Sequence, residues 1–447
     1  MKRREFFKTS AGLLVTPLAL DLYHVNAWFS EKKKYAFEFY RKGETAVPVK
    51  KVTPSDGFYL HTFYDVCPFS PSQKYLAVTK LPFQNRDARF GDIAEICLID
   101  LEEEAIKTVY KTKGWGFQLG ANLEWGKTDR FLYTNDIINN EAVCVRIDLE
   151  TGEIIAYKGP KYHLSPNEDT VIGFPLDLIN TTQMGYGVPD YSPGKEIKGA
   201  PHDNGLWKTN LKTNEKKLLV SLEEASKSAT DPGYLQGGNC YFFHSKFNSR
   251  GDKIMQVMRC LFPGNPQKKG RNASLLTFSG NGGNIKEIIS REQWDYGGNH
   301  PNWHPNGNSI IMNIVPGWLG EKTMRFCKFD ADGNNFEILS EKFSGSGHPS
   351  VTPDTKYLLS DYYVSKLKNK YNGEVPVRLI DLTTQTEVHI CKIFTDMEYM
   401  KKNPVLRLDP HPVWSRDYKQ VCFNGAPNGE RSVFIARLDE IIVEKYG

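Results

Sequence analysis

Seven times along the chain a short apolar run, a polar turn and a second short strand recur, and this repeat constrains the fold more than any other feature. The units open at Phe69-Ser-Pro-Ser-Gln-Lys-Tyr, Trp125-Gly-Lys-Thr-Asp-Arg, Leu164-Ser-Pro-Asn-Glu-Asp, Phe247-Asn-Ser-Arg-Gly-Asp, Trp303-His-Pro-Asn-Gly-Asn, Val351-Thr-Pro-Asp-Thr-Lys and Trp414-Ser-Arg-Asp-Tyr-Lys. A second hairpin signal follows, as at Ile96-Cys-Leu-Ile-Asp-Leu, Val143-Cys-Val-Arg-Ile-Asp-Leu, Leu206-Trp-Lys-Thr-Asn-Leu and Val377-Arg-Leu-Ile-Asp-Leu. Two hairpins per unit, spaced by tens of residues, are the signature of a four-stranded propeller blade. The expected fold is all-β, a seven-bladed β-propeller forming a single domain over residues 28–447. The length of 447 residues suits one such domain.

The repeat also places residues in space. Three positions before each anchor stand Val66, Asn122, Lys161, His244, His300, His348 and His411. Equivalent positions in successive blades form a ring around the central axis, here at one mouth of the channel. His300, His348 and His411 each precede proline, which predicts an extended backbone at those residues. Each imidazole could be hydrogen-bonded locally. Four together in adjacent blades instead call for a metal, an anion or proton transfer. His244, His300, His348 and His411 are therefore the candidate ligands of a divalent metal (zinc, manganese or calcium), with Asn122 beside them. No organic cofactor is expected.

The N-terminus carries a separate message. Lys2-Arg3-Arg4-Glu5-Phe6-Phe7-Lys8, followed by the moderately apolar stretch from Thr9 to Leu20, has the order of a twin-arginine export signal. Val25-Asn26-Ala27 is the expected cleavage site, so residues 1–27 are set aside and the mature protein is expected in the periplasm. The net charge of +4 is weak and evenly spread, which argues against nucleic acid. No apolar stretch of the mature chain is long enough to span a bilayer. Eight cysteines would fit disulfides in an exported chain. Cys97, Cys144, Cys391 and Cys422 instead sit in apolar strand patterns, and Cys67, Cys240, Cys260 and Cys327 show no paired spacing. Buried thiols are expected, with Cys240 near enough in sequence to His244 to approach a metal there.

A propeller joins its last blade to its first, usually by lending an N-terminal strand to the C-terminal blade. The segments 34–40 and 57–64 are the candidate donors. Insertions at 177–205 and 231–239 are rich in Tyr, Gln, Asn and His, and loops on a rigid scaffold are common functional sites. No Walker loop, dinucleotide fingerprint or nucleophile elbow is present. An aromatic, imidazole- and amide-rich mouth suits a sugar, with Arg or Lys to pair with a carboxylate.

Four segments carry a resemblance: Trp115-Gly-Phe-Gln-Leu-Gly-Ala-Asn-Leu-Glu-Trp125, Gln183-Met-Gly-Tyr-Gly-Val, Gly199-Ala-Pro-His-Asp-Asn-Gly-Leu-Trp207 and Phe243-His-Ser-Lys-Phe-Asn-Ser-Arg-Gly. Together they resemble the seven-bladed ulvan lyases and the related propeller α-L-rhamnosidases acting on rhamnose linked α-1,4 to glucuronic acid. The His-Pro-x-Trp blades are also similar to oligogalacturonate lyases, which hold a metal with histidines at such positions. The lyase pattern implies a histidine and an arginine where this chain has Asn122 and His202, and of that pattern Tyr186 remains. The rhamnosidases imply a single essential histidine near the start of the mature domain, working from the opposite face, and His61 is the available residue.

The expected function is hydrolysis of terminal α-L-rhamnose from glucuronic acid in acidic oligo- or polysaccharides. His61 and Tyr186 are the catalytic candidates, and Gln118, Asn122 and His202 the substrate-binding ones. A lyase using Tyr186 and one ring histidine, or a propeller that only binds an acidic glycan, are the alternatives. The partner is an acidic glycan containing rhamnose and glucuronic acid, with neither nucleic acid nor membrane.

Overall fold

A computed structural model describes residues 23–24, 30–189, 197–363, 372–442 and 446. It contains seven antiparallel sheets of four or five strands arranged as the blades of a β-propeller. The first blade runs outward from Phe58–Leu60 through Tyr75–Leu81 and Ala94–Asp100 to Ala105–Thr112. Its strands read apolar on both faces because each blade packs against a neighbour on either side. Val78, Cys97 and Ile99 of blade one pack with Val413, Cys422 and Ile435 of blade seven. Leu359, Val377 and Leu379 of blade six pack with Val421, Phe423 and Phe434 of blade seven. Blade-to-blade burial is thus the continuous core that no single blade could form alone.

Blade seven is completed from the N-terminus. Val413–Trp414, Gln420–Gly425 and Ser432–Arg437 are joined by Val49–Lys51, with Glu38–Phe39 outside it. The closing strand therefore lies between the two expected donors. Val49 and Lys51, two residues apart on one face of the strand, are both buried, whereas Glu38 and Phe39 stay exposed and form only an edge. Segment 57–64 instead opens blade one and then enters the channel. This closure hides the polar strand edges that an open ring would present.

The expectation of extended backbone at the His-Pro positions is corrected at two of them. His300 and His411 have φ of 51° and 47°, alongside 57° at His244 and 53° at Asn122. The strand registers slip at two of these places, between Phe243 and Ser245 and between Asn299 and Asn302. Each such slip is a β-bulge, which bends the strand and re-aims its side chain. Left-handed backbone is costly for a residue with a Cβ, so the surrounding blades must enforce it at these slots.

The short helix Leu222–Lys227 is fixed by a capping box between Ser221 and Glu224. Among the described residues no helix is long and apolar enough to cross a membrane. The paired arginines and the expected cleavage site at 25–27 lie outside the described residues, as do residues 190–196 of the first insertion. Tyr23–His24 pairs with the edge strand Ile154–Ala156 of blade two.

Candidate active site at the channel mouth

The starts of three inner strands, one of them bulged at His300, deliver three of the slot histidines to one cluster. The His300 and His348 rings stand 4.0 Å apart between centroids, and His348 and His411 4.4 Å apart. Phe63, carried in by the segment after Phe58–Leu60, reaches between the blades. Its ring lies 4.5 Å from that of His411 and stacks at 5.5 Å on His244. Phe63 is 1% exposed, so it is a wedge that divides His244 from the other three.

The hydrogen bonds assign the tautomers. Asp361 lies 2.8 Å from His348 Nδ1, and a carboxylate can only accept, so Nδ1 carries the proton. The same carboxylate accepts from the His348 and His411 backbone N–H groups. His348 Nε2 is left buried without a protein partner, as are both ring nitrogens of His411. His348, Asp409 and His411 bring one ligand atom each to within 4.8 Å of one another, a group that can hold a metal ion. A carboxylate–histidine pair behind a free Nε2 is the usual support of a metal-bound imidazole. Burial, with neighbouring imidazoles, pulls the His411 pKa well down, which keeps the ring neutral as a ligand must be.

The four-histidine metal ring is corrected accordingly. His300 Nδ1 sits 2.6 Å from the Gly347 carbonyl and Nε2 2.8 Å from Tyr363 Oη. His244 Nδ1 sits 2.6 Å from Tyr162 Oη on the far side of Phe63. Both rings are held neutral, chiefly by burial. Cys240 does not approach a metal at His244; its Sγ faces Cys260 Sγ at 2.7 Å.

Beside the cluster is a cationic, phenolic wall. Arg407 donates from Nε to Asp409 at 2.9 Å and from a terminal nitrogen to Tyr186 Oη at 2.6 Å. Burial raises the Tyr186 pKa, against the pull of Arg407. Arg259 donates to Gln183 at 2.6 Å and lies over the Phe243 ring at 4.5 Å, and its charge also acts on Tyr186. A third of the Arg407 side chain is exposed, so the wall is open to a ligand.

The other expected site residues fall variously. Gln118 donates to the Val405 and Arg407 carbonyls at 3.1 and 3.0 Å, which holds the segment bearing Arg407. Asn122 donates to the Lys161 and Tyr162 carbonyls at 3.2 and 3.0 Å, clipping blade two to blade three. His202 is exposed in the turn before Gly205–Asn210, and no described contact joins it to the cluster. His61 is fully buried against the Pro410–His411 backbone, and burial lowers its pKa to about 4. At the opposite mouth a cavity of about 370 Å³ is bounded by Tyr64, Asp65, Lys246, Trp303 and Trp414; His61 is not in its wall.

Asp409, Asp361, Arg407, Tyr363 and Phe63 were not singled out in the sequence. One signal was available for two of them. Arg407, Asp409 and His411 alternate, which puts all three on one side of an extended segment. Nothing in the spacing marks Asp361, which the strand Tyr357–Ser360 carries past its end.

No family model matches the chain, and no curated protein matches it. Among solved structures it is similar to an oligogalacturonate lyase in complex with manganese, at 14% identity and a TM-score of 0.63, covering 91% of this chain and 97% of that one. It is also similar to an oligogalacturonate lyase from Vibrio parahaemolyticus, at 15% identity and a TM-score of 0.61, covering 91% and 98%. At this identity the likeness concerns the fold.

Proposed function

We propose that the chain is a metal-assisted lyase that cleaves an acidic oligosaccharide by β-elimination beside a uronate. The observation that carries this reading is the buried His348–Asp409–His411 group with free ring nitrogens, tied through Arg407 to Tyr186. The fold likeness to oligogalacturonate lyases, one of them holding manganese, supports the same class. β-Elimination needs the uronate charge neutralised, a base for the C5 proton and an acid for the leaving oxygen.

The residues at the mouth can supply each part. Imidazole and carboxylate donors together suit manganese or zinc, and a bound ion there would act as a Lewis acid on the uronate. Arg407 and Arg259 offer guanidinium forks to carboxylates. His300 is neutral, with Nδ1 committed to Gly347, so its Nε2 lone pair, which accepts from the Tyr363 hydroxyl at 2.8 Å, is the base once substrate displaces that hydroxyl. Tyr186, kept protonated by burial, gives its proton to the leaving oxygen. The hydrolase reading rested on His61, which meets neither solvent nor the cavity at the far mouth.

Incubation with oligogalacturonate and with a rhamnose-capped glucuronide, each with manganese, tests the reading. Ultraviolet absorbance of a 4,5-unsaturated uronate is the expected product signal. Free rhamnose without unsaturation would instead establish a hydrolase, and affinity with unchanged substrate a binding protein.

A further inference from the structure

Cys240 and Cys260 stand directly opposite each other on the hairpin Asn239–Phe247 and Lys253–Leu261. Neither backbone N–H crosses to the other strand at this point. Cys240 N donates to the Gly199 carbonyl at 2.8 Å and Cys260 N to the Arg271 carbonyl at 2.9 Å. The two are therefore a non-hydrogen-bonded pair, in which facing Cα atoms come within about 4.5 Å and the side chains crowd together. A disulfide spans Cα separations of about 4.4–6.8 Å. Opposed residues share a face of the sheet, and the two Sγ atoms meet at 2.7 Å, both side chains fully buried.

We propose that Cys240 and Cys260 form a cross-strand disulfide, a covalent staple on the hairpin that carries His244 and Arg259. The staple sits next to Arg259 and four residues before His244, close to the bulge between Phe243 and Ser245. A bulged pair can slip in register, and a bond across it pins the register on the side of the site. The oxidant is a disulfide donor, either a small molecule such as oxidised glutathione or a thiol–disulfide oxidoreductase. One cysteine thiolate displaces one donor sulfur, and the second cysteine then displaces the mixed disulfide. Two protein thiols become one S–S bond, and the donor disulfide leaves as two thiols carrying the two protons and two electrons.

Access is through a thin cover. Residues 231–238 lie over the pair, and a Cβ placed on Gly238 would fall 2.4 Å from Cys260 Sγ. Most of this loop is exposed, but its Leu235 is buried in the same core cluster as the two cysteines and brings its carbonyl to 3.9 Å from Cys260 Sγ.

The test counts thiols in the whole chain. After incubation with oxidised glutathione and unfolding in N-ethylmaleimide without reductant, six of the eight cysteines are expected to be alkylated. The digest should contain one peptide pair joined through Cys240 and Cys260. Alkylation of all eight, in the treated folded chain and equally in chain refolded with oxidised glutathione, overturns the proposal. In Cys260→Ala the seven remaining thiols should all alkylate with or without oxidant; a link there would assign the bond elsewhere. Dithiothreitol should lower the melting temperature of the oxidised protein, by about 1 °C per kcal/mol of lost constraint in a domain of this length, and leave Cys240→Ala/Cys260→Ala unmoved. An unchanged melting temperature after reduction verified by mass would overturn the stapling role.

Discussion

The guanidinium of Arg407 donates to the phenol oxygen of Tyr186 at 2.6 Å while its Nε holds Asp409 at 2.9 Å. One side chain therefore couples the acid of the proposed elimination to a carboxylate of the metal group. Tyr186→Phe keeps the ring in its pocket and removes the transferable proton, so turnover should fall by about 10²- to 10⁴-fold. Arg407→Lys keeps a charge but loses the fork. The two substitutions should combine to far less than the product of their separate effects, because they act as one unit. Steady-state kinetics on the four forms checks this; independent, multiplying effects would show that the contact is only structural.

Asp409→Asn and His411→Ala remove donors from the metal group, and each should abolish the stabilisation that manganese gives. An ion present at 100 times its dissociation constant raises stability by about 2.7 kcal/mol. Melting curves with and without manganese should therefore separate in the parent chain and coincide in both variants. Asp361→Asn leaves the ligands in place and loosens His348, which should weaken metal affinity by about 10- to 100-fold. Titration calorimetry with manganese measures that directly.

His61 supplies a test of linkage. Its folded pKa of about 4 lies below the ordinary 6.5 because burial penalises the cation. Below pH 6.5 the unfolded chain takes up a proton that the folded chain refuses, so stability is complete above that pH and declines as pH falls toward the folded pKa. From about pH 7 to about pH 5 this one residue should withdraw about 2 kcal/mol. His61→Gln should flatten that part of the decline in denaturant unfolding. If the slopes of parent and variant coincide, His61 is not held neutral in the fold.

The ring of seven units was legible because each blade repeats the same anchor and turn, and the slot count led to His348 and His411. The geometry within the slot was not. Left-handed backbone at His244 and His300 accompanies bulges set by the neighbouring strand, and at His300 and His411 the following proline argues locally for the opposite. The closing strand was missed because Val49–Lys51 is only three residues long, too short for periodicity to register. The carboxylates at 361 and 409 reach the cluster from two different blades, a convergence that exists only once the ring has closed.

Phe63 gives the last prediction. Its ring fills the channel between His244 and His411, with centroids at 5.5 and 4.5 Å, and touches His348 and Tyr186 at 5.8 and 6.0 Å. It offers no polar atom, so its contribution is to fill volume and keep the imidazoles in fixed orientations. Phe63→Ala should cost about 3–5 kcal/mol, since the rigid blades around it cannot collapse into the space. Phe63→Leu should lose less stability yet still widen the gap beside His411, letting that ring turn away from Asp409. A fall in manganese affinity in Phe63→Leu, at temperatures where the variant is fully folded, is the expected result. Parent-like affinity in that variant would mean that Asp361 and the backbone alone orient the ligands, and that the wedge serves packing only.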